Sequence, residues 1–175
     1  MKPSSAVSSA LHMLFWRIGH RKFDRLRRQI VAWSEAPERR DDPEIREVGE
    51  FLRSNPTDYI PYFFTQAYHA MDTPVQRDPK VGLHYVMHDG QRLYWREGRK
   101  PKRIPRDYHA LLAEQDPDSP HRYLIEEFEI HSGDVVVDVG SAEGILSLDV
   151  IERAGHVYLF EGDKRSRPSS WCNFP

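Results

Sequence analysis

The chain has 175 residues, of which 39% are hydrophobic and 30% are charged, and its formal net charge is −2. This length accommodates one domain, or a small domain together with part of a second. The mean hydropathy of −0.69 and the lack of an apolar run near the roughly 18 residues that span a bilayer exclude a transmembrane helix. The single cysteine, Cys172, excludes an internal disulfide. Together with the lack of a cleavable signal sequence, it predicts a cytoplasmic protein.

The N-terminal third of the sequence predicts a disordered leader followed by helices. Residues 1–10 are rich in serine, and apolar residues at near-helical spacing predict a helical region over 11–55. We expect the basic cluster in its first half to form a solvated helix face, with an acidic or membrane-surface partner as the alternative. The six basic residues of this cluster are Arg17, Arg21, Lys22, Arg25, Arg27 and Arg28.

A second helix in this region has clear end signals. Asp42 is suited to cap it, Pro43 is suited to its first turn, and Asn55-Pro56 ends it. The aromatic segment that follows, residues 59–64, predicts core packing rather than a base-stacking surface, because no basic strand pattern surrounds it. We therefore expect no nucleic-acid partner. The apolar face of the helix contains Ile45, Val48, Phe51 and Leu52.

Residues 56–125 predict a hairpin followed by a short helix. Two apolar segments, 83–87 and 92–95, flank a turn that contains Asp89-Gly90, a strong signal for a two-residue hairpin turn. A basic loop over 99–103 then leads to a short helix at Tyr108–Glu114.

Residues 126–163 predict the N-terminal half of a Rossmann-like parallel sheet of the α/β class. The β-branched run Val135–Val139 is typical of a strand that is covered on both faces. A glycine-bearing turn, a helix over Glu143–Ala154 that ends at Gly155, and a second strand ending at Glu161 follow it. The helix residues expected to be buried are Ile145, Leu148 and Ile151.

The turn after the first strand has the residue types of a nucleotide-binding site. Asp138 lies at the carboxyl end of the strand, where open α/β sheets bind ligands. Gly140 and Gly144 permit a sharp bend and close approach of a ligand, and the helix N-terminus offers N–H groups to an anion. Glu161, at the end of the next strand, is suited to accept hydrogen bonds from ribose hydroxyls.

Several interpretations of this turn compete. A dinucleotide fingerprint requires Gly-x-Gly-x-x-Gly; here the third glycine comes one place early and Glu143 would face the pyrophosphate. A P-loop is excluded because no Gly-Lys-Ser/Thr follows. An aspartate two places before the first of two glycines, spaced four apart, instead resembles the first motif of class I methyltransferases, and this resemblance implies S-adenosylmethionine as the cofactor. One alternative is that Asp138 and Gly140 only shape a tight turn. Another is a non-catalytic protein whose N-terminal helices and hairpin form an interaction module, with the glycine-bearing turn as a remnant.

Two segments resemble motifs of the FkbM-like family of S-adenosylmethionine-dependent methyltransferases. Residues 135–144 (VVVDVGSAEG) are similar to the first motif and residues 157–163 (VYLFEGD) to the second; weaker similarity extends upstream to about residue 51. The resemblance implies O-methylation of a sugar or another natural-product hydroxyl. It assigns no catalytic residue and no metal ligand. The cofactor contacts that it implies involve Asp138, Gly140, Ser141, Ala142, Gly144, Glu161 and, before the first strand, His121 and Arg122.

The chain departs from the family pattern in two places. Ala142 stands where asparagine or glycine is common in such motifs. Residues 164–175 have neither helical nor strand periodicity and predict an irregular tail in place of the rest of the domain. We therefore expect a truncated methyltransferase domain that is poorly stable and inactive alone, since the general base that an oxygen acceptor needs would come from later loops.

Overall fold

The computed structural model describes residues 22–39, 41–55, 60–126 and 128–163. The fold is mixed α/β, with two compact units that divide between Thr65 and Gln66. The predicted leader, the start of the basic segment and the predicted tail at 164–175 lie outside the described residues. Every helix within the described residues is too short or too polar to span a membrane.

Within its described residues the first unit contains two helices, and the second of these begins where the sequence predicted. Residues 22–34 form α1, and Pro43–Ser54 form α2. The Asp42 carboxylate accepts hydrogen bonds from two backbone N–H groups of the first turn of α2, at 2.9 and 3.1 Å. This is the geometry of an N-cap and confirms the prediction. Asn55 is the C-cap, as predicted.

Arg27 departs from the prediction of a solvated basic face. Its guanidinium Nη1 donates to the carbonyl oxygens of Leu52 and Asn55, at 3.3 and 3.1 Å. These carbonyls belong to the C-terminal end of α2, where a positive charge is favourable. Arg27 therefore links α1 to the end of α2. The predicted core role of the following aromatic segment holds in part, because Ile60 is buried whereas Phe63 is exposed.

The second unit begins with a helix, a three-stranded antiparallel sheet and a longer helix. The elements are α3 (Thr65–His69), β1 (Gln76–Arg77), β2 (His84–His88), β3 (Gln91–Tyr94), a 3₁₀ turn (Pro101–Arg103) and α4 (Ile104–Glu114). The turn of the β2–β3 hairpin consists of Asp89 and Gly90, whose φ angles of 47° and 82° are those of a type I′ turn, which confirms the predicted hairpin. The 3₁₀ turn lies within the predicted basic loop and precedes α4, which begins before the expected start at Tyr108 because Pro105 suits the first turn of a helix.

A parallel β–α–β segment completes the second unit. Its elements are β4 (Val135–Val139), α5 (Ile145–Val150) and β5 (His156–Phe160), and β4 pairs in parallel with β5. Both strands were predicted, but the predicted helix over Glu143–Ala154 is too long at both ends. Positive φ angles at Ala142 and Gly144 bend the chain before α5, and residues 151–153 form a turn after it. Ile151 was predicted to be buried but is only half-buried. The fully buried residue at this end of α5 is its neighbour Val150.

One hydrophobic core joins the hairpin, α4 and α5. Apolar side chains of β2 and β3 contact the inner faces of the two helices, so the β–α–β segment is packed against the region that precedes it in sequence. The buried members of this core are Val86, Leu93, Trp95, Ile104, Tyr108, Ile145 and Leu148.

The expectation that β4 is covered on both faces is wrong. Alternate residues of β4 are exposed, and Val139 retains 78% of its accessible surface. Among the described residues, β4 has β5 as its one partner, and its other residues are half-buried on the face of α5. The β-branched run thus specified a strand but did not specify whether its second face is covered. The exposed apolar side chains of this face are Val135, Val137, Val139, Tyr158 and Phe160.

Candidate functional site

The parallel pairing of β4 and β5 brings two acidic residues to the same edge of the sheet. Asp138 is in register with Leu159, and Glu161 follows two residues later, so both acidic residues lie on the half-buried face that α5 covers. The glycine-bearing turn, residues 140–144, lies between them along the chain. The two carboxylates therefore lie on the same side of the sheet, at the carboxyl ends of adjacent strands.

Asp138 is held by a hydrogen bond across to α5. The hydroxyl of Ser147 donates to its Oδ2 atom at 2.6 Å, and Ser147 is completely buried. Because Ser147 is buried in α5, the position of its hydroxyl is fixed. The hydrogen bond therefore orients the Asp138 carboxylate at the end of β4. The spacing of nine residues between these two partners gave no sequence signal for the contact.

Glu161 is bound to the turn itself. Its Oε2 atom accepts a hydrogen bond from the backbone N–H of Ala142 at 2.8 Å, and its Oε1 atom accepts one from the N–H of Asp163. A charged acceptor makes such bonds strong. The side chain predicted to hold a ribose therefore also stabilises the turn after β4.

Three residues of the turn have left-handed backbone conformations. Their φ angles are 84° at Gly140, 47° at Ala142 and 81° at Gly144. The N–H of Gly144 donates to the carbonyl of Ser141 at 2.6 Å within the turn, and the N–H of Ala142 donates to the Glu161 carboxylate. The sequence predicted that N–H groups at the helix N-terminus would bind an anion. Two N–H groups of the turn that leads into α5 are instead bonded to protein oxygens.

A groove of about 580 Å³ runs along β4 and ends at this turn. Four of the predicted cofactor-binding residues line it: Asp138, Gly140, Ser141 and Ala142. The Ser141 hydroxyl is buried and has no hydrogen-bond partner among the described residues. Since buried hydroxyls are nearly always paired, an unpaired one beside a groove suggests that a ligand or water completes it. A side chain at Gly140 would meet no protein atom within 4 Å, so this part of the turn faces open space.

The other predicted site residues lie near this groove without lining it. Gly144 forms the N-cap of α5, and Glu161 contacts the turn from β5. The Arg122 side chain donates from Nε to the carbonyl of Leu124 at 2.6 Å, a local contact that shapes the loop before β4. His121 is exposed in the same loop. A cofactor contact by His121 or Arg122 remains a prediction.

Several residues that sequence reasoning missed contribute to the groove. Leu111 and Glu114, three residues apart on α4, share a helix face and line it, together with Tyr123 and Phe128 of the following loop. Burial raises the pKa of the Glu114 carboxyl, and the nearby His121 opposes this shift. Helical spacing places Leu111 and Glu114 on one face, but which face meets β4 could not be read from the sequence.

Glu143 is the acidic residue inside the turn whose pKa is shifted. Burial raises the pKa of its carboxyl, while the charges of Arg96 and Arg99 lower it and that of Asp107 raises it. The net direction is upward, so the charged form is disfavoured at this position.

No protein-family model, curated protein or solved structure matches this chain. The function is therefore inferred from the geometry of the turn and from the resemblance of its residues to a known motif.

Proposed function

We propose that residues 135–163 form half of a Rossmann-like methyltransferase sheet and that their turn binds S-adenosylmethionine. One observation carries the proposal. Asp138 and Glu161 lie at the carboxyl ends of two adjacent parallel strands, on the same face, with a glycine-bearing turn between them. Ligands of open α/β sheets bind at this edge of the sheet.

The electrostatics of the turn agree with a donor that carries a positive sulfonium and a ribose. Two carboxylates supply negative charge and hydrogen-bond acceptors, and Ser147 orients one of them while Ala142 binds the other. A carboxylate offers about four acceptor sites, so the contacts that shape the turn are compatible with bonds to ribose hydroxyls. In the proposed complex, Glu161 binds the ribose and Asp138 lies nearer the methionine part.

The groove offers enough space for the cofactor, and a buried hydroxyl to which the cofactor can form a hydrogen bond. Its volume of about 580 Å³ falls within the range of small-molecule sites, about 300–1,000 Å³. Gly140 faces open space that a Cβ atom would enter, and the buried hydroxyl of Ser141 has no hydrogen-bond partner in the part of the chain that the structure describes. We assign to the cofactor the close approach at Gly140 and a hydrogen bond with Ser141.

The resemblance to FkbM-like methyltransferases extends the proposal from binding to a reaction class. By this resemblance the methyl group passes to a hydroxyl of a sugar or another natural product. Methyl transfer is a displacement at the sulfonium carbon, so catalysis rests mainly on positioning the donor and the acceptor. The described residues are assigned only the binding of the donor.

Isothermal titration calorimetry with S-adenosylmethionine tests the binding site. We expect one site per chain in the full-length protein and loss of binding in Gly140→Ala, whose methyl group would occupy the space left for the ligand. Gly98→Ala is the matched control, because Gly98 has a similar φ angle of 77°, also faces open space and does not line the groove. The strain of a side chain at positive φ is therefore similar in the two variants.

Further titrations separate the cofactors and the roles of the acids. Glu161→Ala should abolish binding, and Asp138→Asn should weaken it. A parallel titration with NAD should show no binding, because the glycine spacing does not fit a dinucleotide. The absence of any binding of S-adenosylmethionine by the folded protein, or equal binding by Gly140→Ala and Gly98→Ala, would contradict the proposal.

A further inference from the structure

Three potential metal ligands meet where the β2–β3 turn contacts α5. His88 is the last residue of β2, Asp89 is the first residue of the turn, and Asp149 belongs to α5. Each offers one ligand atom, and these atoms all lie within 4.8 Å of one another. The cluster includes none of the residues assigned to the cofactor.

The imidazole of His88 is buried and held at both nitrogens. Its Nε2 atom lies 2.6 Å from Oδ1 of Asp149, and its Nδ1 atom lies 2.9 Å from the hydroxyl oxygen of Tyr108. Tyr108 is buried in the core, and its ring meets the imidazole edge to face, with centroids 5.8 Å apart. Because packing and hydrogen bonds fix the ring, Nε2 is aimed at the Asp149 carboxylate, and the Asp89 carboxylate lies in the same cluster.

The carboxylates approach from the solvent side. Asp89 and Asp149 are exposed, whereas His88 retains 6% of its accessible surface. The two-residue turn fixes Asp89 beside His88, and α5 brings Asp149 to the same point from a region 60 residues later in the sequence. The cluster thus has one buried nitrogen donor and two oxygen donors that a hydrated ion can reach.

We propose that His88, Asp89 and Asp149 bind a single divalent transition-metal ion, Zn²⁺ being the best fit. One imidazole nitrogen and two carboxylate oxygens are three protein ligands, which leaves a fourth position for water on the exposed side. The two carboxylate charges balance the charge of the ion. Mg²⁺ and Ca²⁺ prefer oxygen ligands alone, so the imidazole favours zinc over them.

Tyr108 supports the ligand as an outer partner. Zinc binding selects the neutral tautomer of His88 whose single proton is on Nδ1 and is donated to the tyrosine oxygen, so that Nε2 presents its lone pair to the ion, an arrangement typical of metal-bound histidine. The ion then replaces the hydrogen bond between Nε2 and Asp149. With bonds of about 2.0–2.1 Å and tetrahedral angles, two ligand atoms lie roughly 3.3 Å apart, so the exposed Asp149 carboxylate must move outward by somewhat less than 1 Å.

Metal titration of the full chain tests the proposal. After treatment with a chelator, the protein is titrated with ZnCl₂ in a calorimeter and, separately, with CoCl₂ in a spectrophotometer. We expect one tight site, a visible absorption band typical of four-coordinate cobalt, and a rise in Tm when zinc is bound. Excess MgCl₂ should not displace the zinc.

Two ligand variants and one matched control locate the ion. Asp89→Asn and Asp149→Asn should each weaken zinc binding by roughly tenfold or more and remove the cobalt band. Asp72→Asn makes the same charge change at an exposed position outside the cluster and should bind zinc as the wild type does. Asparagine tolerates the positive φ of residue 89, so Asp89→Asn should retain the hairpin. This variant therefore still tests the site if Asp149→Asn loosens α5.

The outcomes are decisive in both directions. Loss of the site in Asp89→Asn with retention in Asp72→Asn supports the assignment. Equal affinities in all three variants would place the zinc on other histidines of the chain and overturn the proposal, as would the absence of any binding. Because no residue is shared with the cofactor turn, the proposal stands or falls independently of S-adenosylmethionine binding.

Discussion

The Glu161 carboxylate accepts a hydrogen bond from the N–H of Ala142, a residue that adopts a left-handed φ of 47°. This contact joins the end of β5 to the turn after β4. The left-handed angle also explains why asparagine or glycine is common at this position of such motifs. Asparagine and glycine enter the left-handed region at little cost, whereas alanine is strained there.

Ala142→Gly should therefore stabilise the protein. Removing the Cβ atom relieves the left-handed strain, and we expect the free energy of unfolding to rise by about 1 kcal/mol, less the entropy that glycine adds to the unfolded chain. Urea unfolding followed by circular dichroism measures the change. The control is Ala110→Gly, at an exposed position in α4, where the same replacement should destabilise by about 1 kcal/mol. A loss of stability in Ala142→Gly would contradict the strain argument.

Gly155 is required for a steric reason rather than a conformational one. Its N–H donates to the carbonyl of Asp134 at 2.8 Å, and a Cβ atom would lie 2.6 Å from the carbonyl oxygen of Gly133. We expect Gly155→Ala to lower the free energy of unfolding by about 1–3 kcal/mol, because backbone would have to shift. Gly162→Ala meets no atom within 4 Å and should change stability by less than about 0.5 kcal/mol. Thermal or urea unfolding of the two variants gives the comparison, and equal values would refute the steric explanation.

Asp78 should make the second unit sensitive to acid. Its carboxylate accepts hydrogen bonds from the Tyr94 hydroxyl at 2.6 Å, the Lys80 N–H at 2.8 Å and the Arg92 guanidinium at 2.6 Å. Of these contacts, the Tyr94 bond contributes most to lowering the pKa of Asp78. A lowered folded pKa gives stability that is present above the ordinary carboxyl pKa and is lost as pH falls through the folded value.

We expect Asp78→Asn to lower Tm by several degrees at pH 7. The difference from the wild type should shrink as pH falls below the ordinary carboxyl pKa, and it should vanish once pH has passed through the lowered folded pKa, where the wild-type carboxyl itself becomes protonated. Differential scanning calorimetry over a pH series measures this, with Asp72→Asn as the exposed control. A difference that stays constant down to pH 2 would show that the ionised form of Asp78 is not the source of the stability.

Glu143 should have the opposite pH dependence. Burial raises the pKa of its carboxyl, so the stability linked to this group is fully present below the unfolded pKa and is lost as pH rises through the folded value. Glu143→Gln should therefore have a higher Tm than the wild type at pH 7, and the gain should vanish near pH 4. A lower Tm at pH 7 would mean that the attraction of Arg96 and Arg99 outweighs the cost of burial. Glu152→Gln, at an exposed position, serves as the control.

Local signals in the sequence identified several elements correctly because those elements depend on near neighbours. Asp42 caps α2 through N–H groups two and three residues away, and Asp89-Gly90 closes the hairpin through its own backbone angles. The strand Val135–Val139 has the predicted bounds because β-branched side chains favour extended backbone. The local pattern predicted α5 to be longer than it is. The helix begins later because the residues before it have positive φ angles, which arise from the bend of the turn.

By itself the sequence determined the order of strand, turn, helix and strand, and the presence of an acid at the end of each strand. The tertiary structure decided which residues meet. Parallel pairing placed Asp138 and Glu161 on one face, and the packing of α5 brought Asp149 to His88. Contacts between residues far apart in the chain depend on how elements pack, and periodicity along a single element carries no information about its partner.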